Sequence, residues 1–442
     1  LHCWNMTNKL DFDRAAPIFV LTLVDVLGLT VLLPLLHLYA ARFGASPLQI
    51  GLVLASFPLS QLIGVPLMGA LSDRFGRKPL LLISQITTCI GFIMLGAATS
   101  LEMVILSRVI DGLFGANLAT AQAALSDITT DETRAQGLGL TGAAFGLGFV
   151  FGPLISIITL EVSDNLALPA FVAALYSLIS IFLTMFMFKE TLPAEQRGAR
   201  GRTTNVLALL KSGQINLLLL LMFAQQFAFF AFESLLGLFT LSRLGLLGQG
   251  NSLIFIVVGV TLVYAQVRLI GRWTRQYGER RVVLIALALL TVGLILVALT
   301  PEQPQPFYVR RIVERALIAD PDVTSTEAVI GDISVELPRD GNNGIGGLLW
   351  VFIVIVPLSI GAGMIRPSLN SLMTKRVGRD AYGGVLGLSA SAVSAANAGA
   401  PIVGGLIFQQ YGASAPFLFG GLLMGALSLI SFLFIRQPQT KG

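Results

Sequence analysis

Long apolar runs separated by short polar turns make up nearly all of this sequence. A helix that crosses a bilayer needs about 20 predominantly apolar residues. Twelve runs reach that length, at 16–38, 47–71, 79–99, 101–125, 136–158, 168–188, 214–240, 250–270, 281–300, 346–372, 383–408 and 414–435. The turn at Ser100 is so short that the third and fourth runs are the least cleanly divided. Pro34, Pro58, Pro66, Pro153, Pro357, Pro367 and Pro401 fall inside runs. They would cripple soluble helices, but inside a membrane neighbouring groups satisfy the freed carbonyls. The pattern predicts an all-α membrane protein with 12 transmembrane helices.

The polar breaks divide those helices into two sets of six. Residues 1–188 form a first six-helix bundle, and 189–211, rich in Arg, Gly and Thr, read as a cytoplasmic linker. Residues 212–442 form a second bundle, carrying a polar extracytoplasmic insertion at 301–344 between helices 9 and 10. The second half repeats the first: Gly271-Arg-Trp-Thr-Arg-Gln-Tyr-Gly278 copies the stretch from Gly69 to Gly76 at an offset of 202, with Arg275 under Asp73. Further on, Pro401 falls under Pro153 at an offset of 248. The offset therefore grows by 46, close to the 44 residues from Pro301 to Gly344. A parallel duplication with one insertion explains both offsets, and parallel halves around a midplane site are a transporter architecture. Within the insertion, Phe307 to Ile318 has the spacing of an amphipathic helix, and Ala328 to Leu337 partly alternates like a strand. The insertion reads as a passive loop, a lid or a partner-docking element.

Composition supports the membrane reading. Of 442 residues, 55% are hydrophobic and 12% charged, against roughly 25% charged in soluble domains. The 46 glycines suit helices packed through small residues. The net charge of +5 is no nucleic-acid signal, because the cations cluster at helix ends beside lipid headgroups. Cys3 and Cys89 cannot build a disulfide framework, and His2 and His37 have no ligand-spaced partner for a metal. The first run is too long for a signal-peptide core and reads as a retained helix. Met6 is a candidate initiator, with Leu1 to Asn5 an upstream remnant. The sequon at Asn5 would be silent in a cytoplasmic tail.

Charge sets the orientation. The turn Gly69-Ala-Leu-Ser-Asp-Arg-Phe-Gly-Arg-Lys-Pro-Leu-Leu-Leu82 holds three cations between two spanning runs, which places it in the cytoplasm. Both termini then lie on that side. The cations left outside are Arg42, Arg243, Arg310, Arg311, Arg315 and Arg339, four of them in the long insertion, where the rule is weak.

Ionisable groups inside spans are costly and mark function. Asp25 sits about 14 Å into the first helix, near the midplane. Arg108 enters the fourth helix from outside and can approach the same level. An acid facing an arginine in a cavity is a protonation switch; alternatively Arg108 pairs with Asp111, one turn along, and only stabilises the fold. Glu233, Gln225 and Gln226 interrupt the apolar seventh helix, with Glu233 either cavity-facing or paired with Arg243. Gln61, Asn117, Gln122, Asn370 and Asn397 are candidate cavity amides, although such groups also bridge helices. Arg366 reads as a snorkelling cation, and Phe227, Phe229, Phe230 and Phe232 as pocket padding or lipid contacts.

The Gly69–Leu82 turn resembles the loop between helices 2 and 3 of the major facilitator superfamily of secondary transporters. Arg108-Val-Ile-Asp-Gly-Leu-Phe-Gly-Ala, followed by Ser126-Asp127-Ile-Thr-Thr-Asp-Glu-Thr-Arg134, is similar to the tetracycline-efflux branch of its drug:proton antiporters. Gly142-Ala-Ala-Phe-Gly-Leu-Gly-Phe-Val-Phe-Gly152-Pro153 resembles the family's antiporter motif, built on Gly142, Gly146, Gly148, Gly152 and Pro153, with Ser156 where a glycine is usual. The resemblance implies proton coupling through Asp25 and Arg108; Asp111 and Glu233 are further candidates from their own positions in the spans. It also implies a cytoplasmic gate of Gly69, Asp73, Arg74, Gly76, Arg77, Lys78, Asp127 and Arg134.

The resulting expectation is the major facilitator fold, with two pseudo-symmetric six-helix bundles, in a monomer of the cell membrane. Its partners are protons, the lipid bilayer and a small-molecule substrate. It would expel a lipophilic or amphipathic compound in exchange for protons, with no cofactor beyond the proton gradient. A metabolite or sugar uniporter or symporter is the alternative within transport. A receptor or scaffold using the insertion is the alternative outside it. No phosphate-cradling Gly-Lys-Ser/Thr loop, Ser/His/Asp set or metal cluster supports an enzyme.

Overall fold

The computed structural model describes residues 12–129, 134–163, 165–193, 195, 197, 213–317, 335–377 and 382–434. Most of the 189–211 stretch and most of 328–337 lie outside these. Among the described residues the regular structure is helical, and twelve helices are long and apolar enough to cross a membrane.

The first set comprises α1 (Phe12–Leu32), α2 (Leu36–Ala41), α3 (Pro47–Phe75), α4 (Arg77–Gly96), α5 (Leu101–Phe114), α6 (Asn117–Asp127), α7 (Arg134–Val162) and α8 (Ala167–Phe186). The second comprises α9 (Gly213–Leu244), α10 (Gly248–Tyr264), α11 (Ile270–Tyr277), α12 (Glu279–Ala298), α13 (Arg310–Ala316), α14 (Gly346–Thr374), α15 (Tyr382–Tyr411) and α16 (Ala415–Phe434). A single π-turn over Ala265–Leu269 joins α10 to α11, so the eighth span runs to Tyr277.

The chain forms two compact units: Leu1–Leu35 with Ser56–Gly201, and Leu36–Ala55 with Arg202–Gly442. In the first, α1 packs on α7 and α8, and α4 on α5 and α8. In the second, α9 packs on α15 and α16, and α12 on α14 and α16. Spans 7, 9, 10, 11 and 12 thus repeat the partnerships of spans 1, 3, 4, 5 and 6. The duplication read from the offsets is expressed as the same helix pairing twice. Residues 36–55 pack tightly within the second unit: a Cβ on Gly51 would meet the Pro401 carbonyl oxygen at 2.3 Å, and one on Gly237 would meet His37 Cε1 at 2.3 Å.

Two spans predicted as continuous are interrupted. The first breaks at residues 33–35, around Pro34, whose ring cannot follow a helical turn without losing a hydrogen bond. The fourth breaks at Gly115–Ala116, between α5 and α6. Ser84 Oγ accepts from the Ala116 N–H at 2.8 Å, and Gln61 Nε2 donates to the Gly115 carbonyl at 3.2 Å. Side chains from two other helices satisfy the backbone groups that the break frees, as an apolar surrounding requires. The short turn at Ser100 does separate the third and fourth spans, because Ser100 Oγ caps α5 by accepting from the Met103 N–H at 3.3 Å.

The repeated turn keeps its backbone in both copies. Gly76 and Gly278 adopt φ of 104° and 77°, values that a residue with a Cβ rarely reaches. In the second copy Glu279 binds Lys375 at 2.7 Å.

Candidate functional site

The first cluster grows out of polar residues spaced along one face of each helix. Ser177, Ser180 and Thr184 on α8, and Ser84, Gln85 and Thr88 on α4, are all buried. Gln85 Nε2 donates to Ser180 Oγ at 2.8 Å, and Ser177 Oγ donates to the Gln85 carbonyl at 3.1 Å. Asp25 lies near the middle of the Arg14–Leu32 span, with its carboxyl group facing Gln85 and Ser180. Both of its oxygens are sealed from solvent, yet neither makes a hydrogen bond of regular geometry; nor does Gln85 Oε1. The carboxyl group thus lies in a buried pocket beside the polar side chains of Gln85 and Ser180, without a hydrogen bond of regular geometry to either.

Arg108 is held within its own helix and against α4. Its Nη1 lies 3.2 Å from Asp111 Oδ2, one turn along α5, and its guanidinium stacks over Phe92 at 5.3 Å. Asp111 Oδ1 also accepts from Thr88 Oγ1 at 2.7 Å. Of the two readings that the sequence allows for Arg108, the pairing with Asp111 is the one present. Asp111 remains close enough to Asp25 to act on it electrostatically.

The turn between α3 and α4 carries the second cluster. Arg77 is buried, with Nε 2.9 Å from Asp127 Oδ2 and Nη1 2.7 Å from Asp73 Oδ1. Its Nη1 also donates to Ser72 Oγ at 3.0 Å. Lys78 Nζ donates to the Met185 carbonyl at 2.8 Å, and the exposed Arg74 stacks on its neighbour Phe75. Gly69 has open space beside it. Arg134 opens α7, and its side chain is outside the described set.

Glu190 completes this cluster, a residue that the sequence pattern did not single out. Its carboxylate accepts from the Arg77 and Lys78 N–H groups at 2.9 and 3.1 Å, capping the start of α4. An acid at a helix N-terminus is favourable on charge grounds as well. A Cβ on Gly76 would meet Glu190 Oε2 at 2.4 Å. The available signal was an acid just beyond the sixth apolar run, but its partners lie more than a hundred residues earlier.

The glycines of α7 divide in two. A Cβ on Gly148 would meet Val26 Cγ1 at 2.4 Å, and one on Gly152 would meet Thr30 Oγ1 at 2.1 Å, so α1 and α7 touch through these positions. Gly142 is exposed with nothing near it, Gly146 is half-buried, and Pro153 is buried within the helix. Replacing Gly152 with Val should therefore destabilise the protein by about 1–3 kcal/mol, the range for overpacking. The same change at Gly142 should alter stability by less than about 0.5 kcal/mol, as surface substitutions do. Thermal unfolding of the two purified variants checks the contrast.

In the second unit, Gln226 Nε2 on α9 donates to Asn397 Oδ1 on α15 at 2.8 Å, and Gln225 Nε2 donates to Gln226 Oε1 at 3.4 Å. Asn370 Oδ1 accepts from Ser389 Oγ at 2.8 Å, joining α14 to α15. In the first unit, Gln122 Nε2 reaches Thr141 Oγ1 at 3.5 Å, while Asn117 Oδ1 is buried without a hydrogen bond. Most of the candidate amides thus bridge helices. Glu233 is buried, and it does not pair with Arg243, which binds Glu302 and Ser414. The Arg366 side chain is exposed, as a snorkelling cation would be. Among the described residues no group of His, Cys, Asp and Glu could hold a metal ion.

These features can be set beside known proteins. A tetracycline resistance protein of class B from Escherichia coli is 28% identical over 443 residues, spanning 96% of each chain. Multidrug resistance protein 2 of Bacillus subtilis (strain 168) is 23% identical, over 94% of each. The solved structure of the nucleoside transporter NupG superposes with a TM-score of 0.69 at 14% identity, covering 96% of this chain and all of that one, a likeness of fold. The family model described as Major Facilitator Superfamily matches residues 18–310. Twelve spans, a helix pairing used twice and this match lead to one conclusion: the chain belongs to the major facilitator superfamily and is a multi-pass membrane transporter.

Proposed function

We propose that this transporter expels a small lipophilic or amphipathic compound in exchange for protons by alternating access. The observation that carries the reading is the sealed position of the Asp25 carboxyl group, whose oxygens make no hydrogen bond of regular geometry. A proton on that group leaves it neutral, and its departure leaves a charge sealed from water. Loading and unloading that proton therefore changes the cost of keeping the pocket shut, which is the differential interaction that a driven conformational cycle needs. The tetracycline and multidrug relatives support the cargo class, and the gradient supplies the energy without a bound cofactor. Asp111 with Arg108, and Glu233, are further coupling residues on this reading. The Arg77 cluster holds the cytoplasmic side, with both termini there.

A second reading is facilitated movement of a polar metabolite, which the Gln225–Gln226–Asn397 amide chain favours as a recognition surface. Purified protein in vesicles under an imposed pH gradient separates the two. With labelled tetracycline and lipophilic cations as probes, uphill accumulation should run against the proton flow and collapse with a protonophore. Transport that equilibrates the probe, indifferent to the protonophore, would overturn proton coupling.

A further inference from the structure

The proximal part of the polar insertion is tied to the ends of three spanning helices. The Gln305 N–H donates to the Leu244 carbonyl at the end of α9, and Gln303 Oε1 accepts from the Gly347 N–H at the start of α14. The Gly344 N–H donates to the Pro304 carbonyl, and the segment begins directly after α12. Tyr308 packs so closely on Gly245 that a Cβ there would meet its ring at 2.1 Å, while its hydroxyl donates to the Pro338 carbonyl at 2.8 Å. Asn343 Nδ2 and Asp340 Oδ1 fix the chain on either side, at the Tyr308 carbonyl and the Arg310 N–H. Residues 303–316 are thereby held at the level where the spans end, the level of the headgroups.

At that level the exposed face has an unusual composition. Tyr308, Val313 and Leu317 point inward and are buried. Phe307 is 90% exposed, Ile312 61% and Val309 45%, and the cations of Arg311 and Arg315 are exposed among them. Arg310 is partly neutralised by Glu314 at 2.7 Å. Bare aromatic and aliphatic side chains beside exposed cations would be a liability in water, and they match an interface whose acyl edge is apolar and whose headgroups are anionic.

We propose that α13 and the turn before it form a lipid-binding element in which the apolar residues Phe307, Val309 and Ile312 enter the bilayer surface while Arg311 and Arg315 engage anionic phospholipid headgroups. The element pins the α12–α14 connection to the membrane and makes it sensitive to lipid charge. Nothing in this depends on which compound is carried.

The test uses full-length protein with Cys89→Ala, Cys3→Ser and Phe307→Cys, carrying an environment-sensitive fluorophore at 307. It is reconstituted in phosphatidylcholine vesicles, with and without phosphatidylglycerol. Lipid-borne nitroxides placed near the headgroup should quench the label, and the neutral aqueous quencher acrylamide should not. Phosphatidylglycerol should strengthen the lipid quenching, and Arg311→Gln with Arg315→Gln should remove that increment while the apolar contact persists. A label open to acrylamide and untouched by the nitroxides would overturn the proposal. Shielding that vanishes when the protein is diluted in lipid would also overturn it, by assigning the face to a second copy. Equal quenching in both vesicle types would overturn the headgroup contact.

Discussion

Replacing Asp25 with Asn is expected to abolish gradient-driven transport while leaving the protein folded and at least as stable. Buried acceptors without donors cost about 1–3 kcal/mol each, and the pocket holds Asp25 Oδ1, Asp25 Oδ2 and Gln85 Oε1 in that condition. An amide at position 25 stays neutral and never carries a charge sealed from water, so unfolding stability should hold or rise, by about 1 kcal/mol at most. The amide cannot release a proton. Uphill accumulation under a pH gradient should fall to the level seen without one, whereas exchange of labelled for unlabelled compound persists. Retention of gradient-driven transport by the variant would remove Asp25 from the mechanism. A folded but exchange-dead variant would instead make it part of the substrate path.

The largest expected loss of stability comes from Arg77→Ala. This guanidinium is buried and contacts two carboxylates and a hydroxyl. Asp127 has only 3% of its side chain exposed, so removing Arg77 takes a cation away from a carboxylate that water hardly reaches. Breaking one side of a buried pair costs about 3–5 kcal/mol, more than a surface pair is ever worth. Thr191 Oγ1, 3.3 Å from Asp127 Oδ2, is too weak a donor to offset that. Removing the charge as well should recover much of the loss, so Arg77→Ala with Asp127→Asn is expected to be more stable than Arg77→Ala alone. Chemical unfolding of the three purified proteins measures this. Equal stabilities for Arg77→Ala and the parent would mean that the pair contributes nothing.

The sequence revealed features that depend on local length and composition. Spanning helices declare themselves because about 20 apolar residues have few other uses, and the turn glycines at 76 and 278 because their backbone excludes other residues. The two helix breaks were harder to read. Pro34 was visible as a proline but resembles Pro58, which leaves α3 unbroken. Gly115 breaks its span with help from Ser84 and Gln61, on other helices, and that help has no local signature. For the same reason nothing local to Gln61 ties it to the Gly115 carbonyl. Depth along a helix suggested that Asp25 faces Arg108, but depth says nothing about azimuth. Arg108 turned to Asp111, while Asp25 turned to the polar faces of α4 and α8. Those faces were legible in the three- and four-residue spacing of Ser177, Ser180 and Thr184.

The twin turns record how such a chain ages. Gly76 and Gly278 share a left-handed backbone, yet only the first lies beneath a carboxylate, and a Cβ on Gly278 would meet nothing. A descendant that surrenders an exposed acid loses little, whereas one that surrenders the glycine must strain its main chain. Geometry therefore outlives charge after a gene doubles, and the kinship of the halves is better traced through their achiral residues than through their ions.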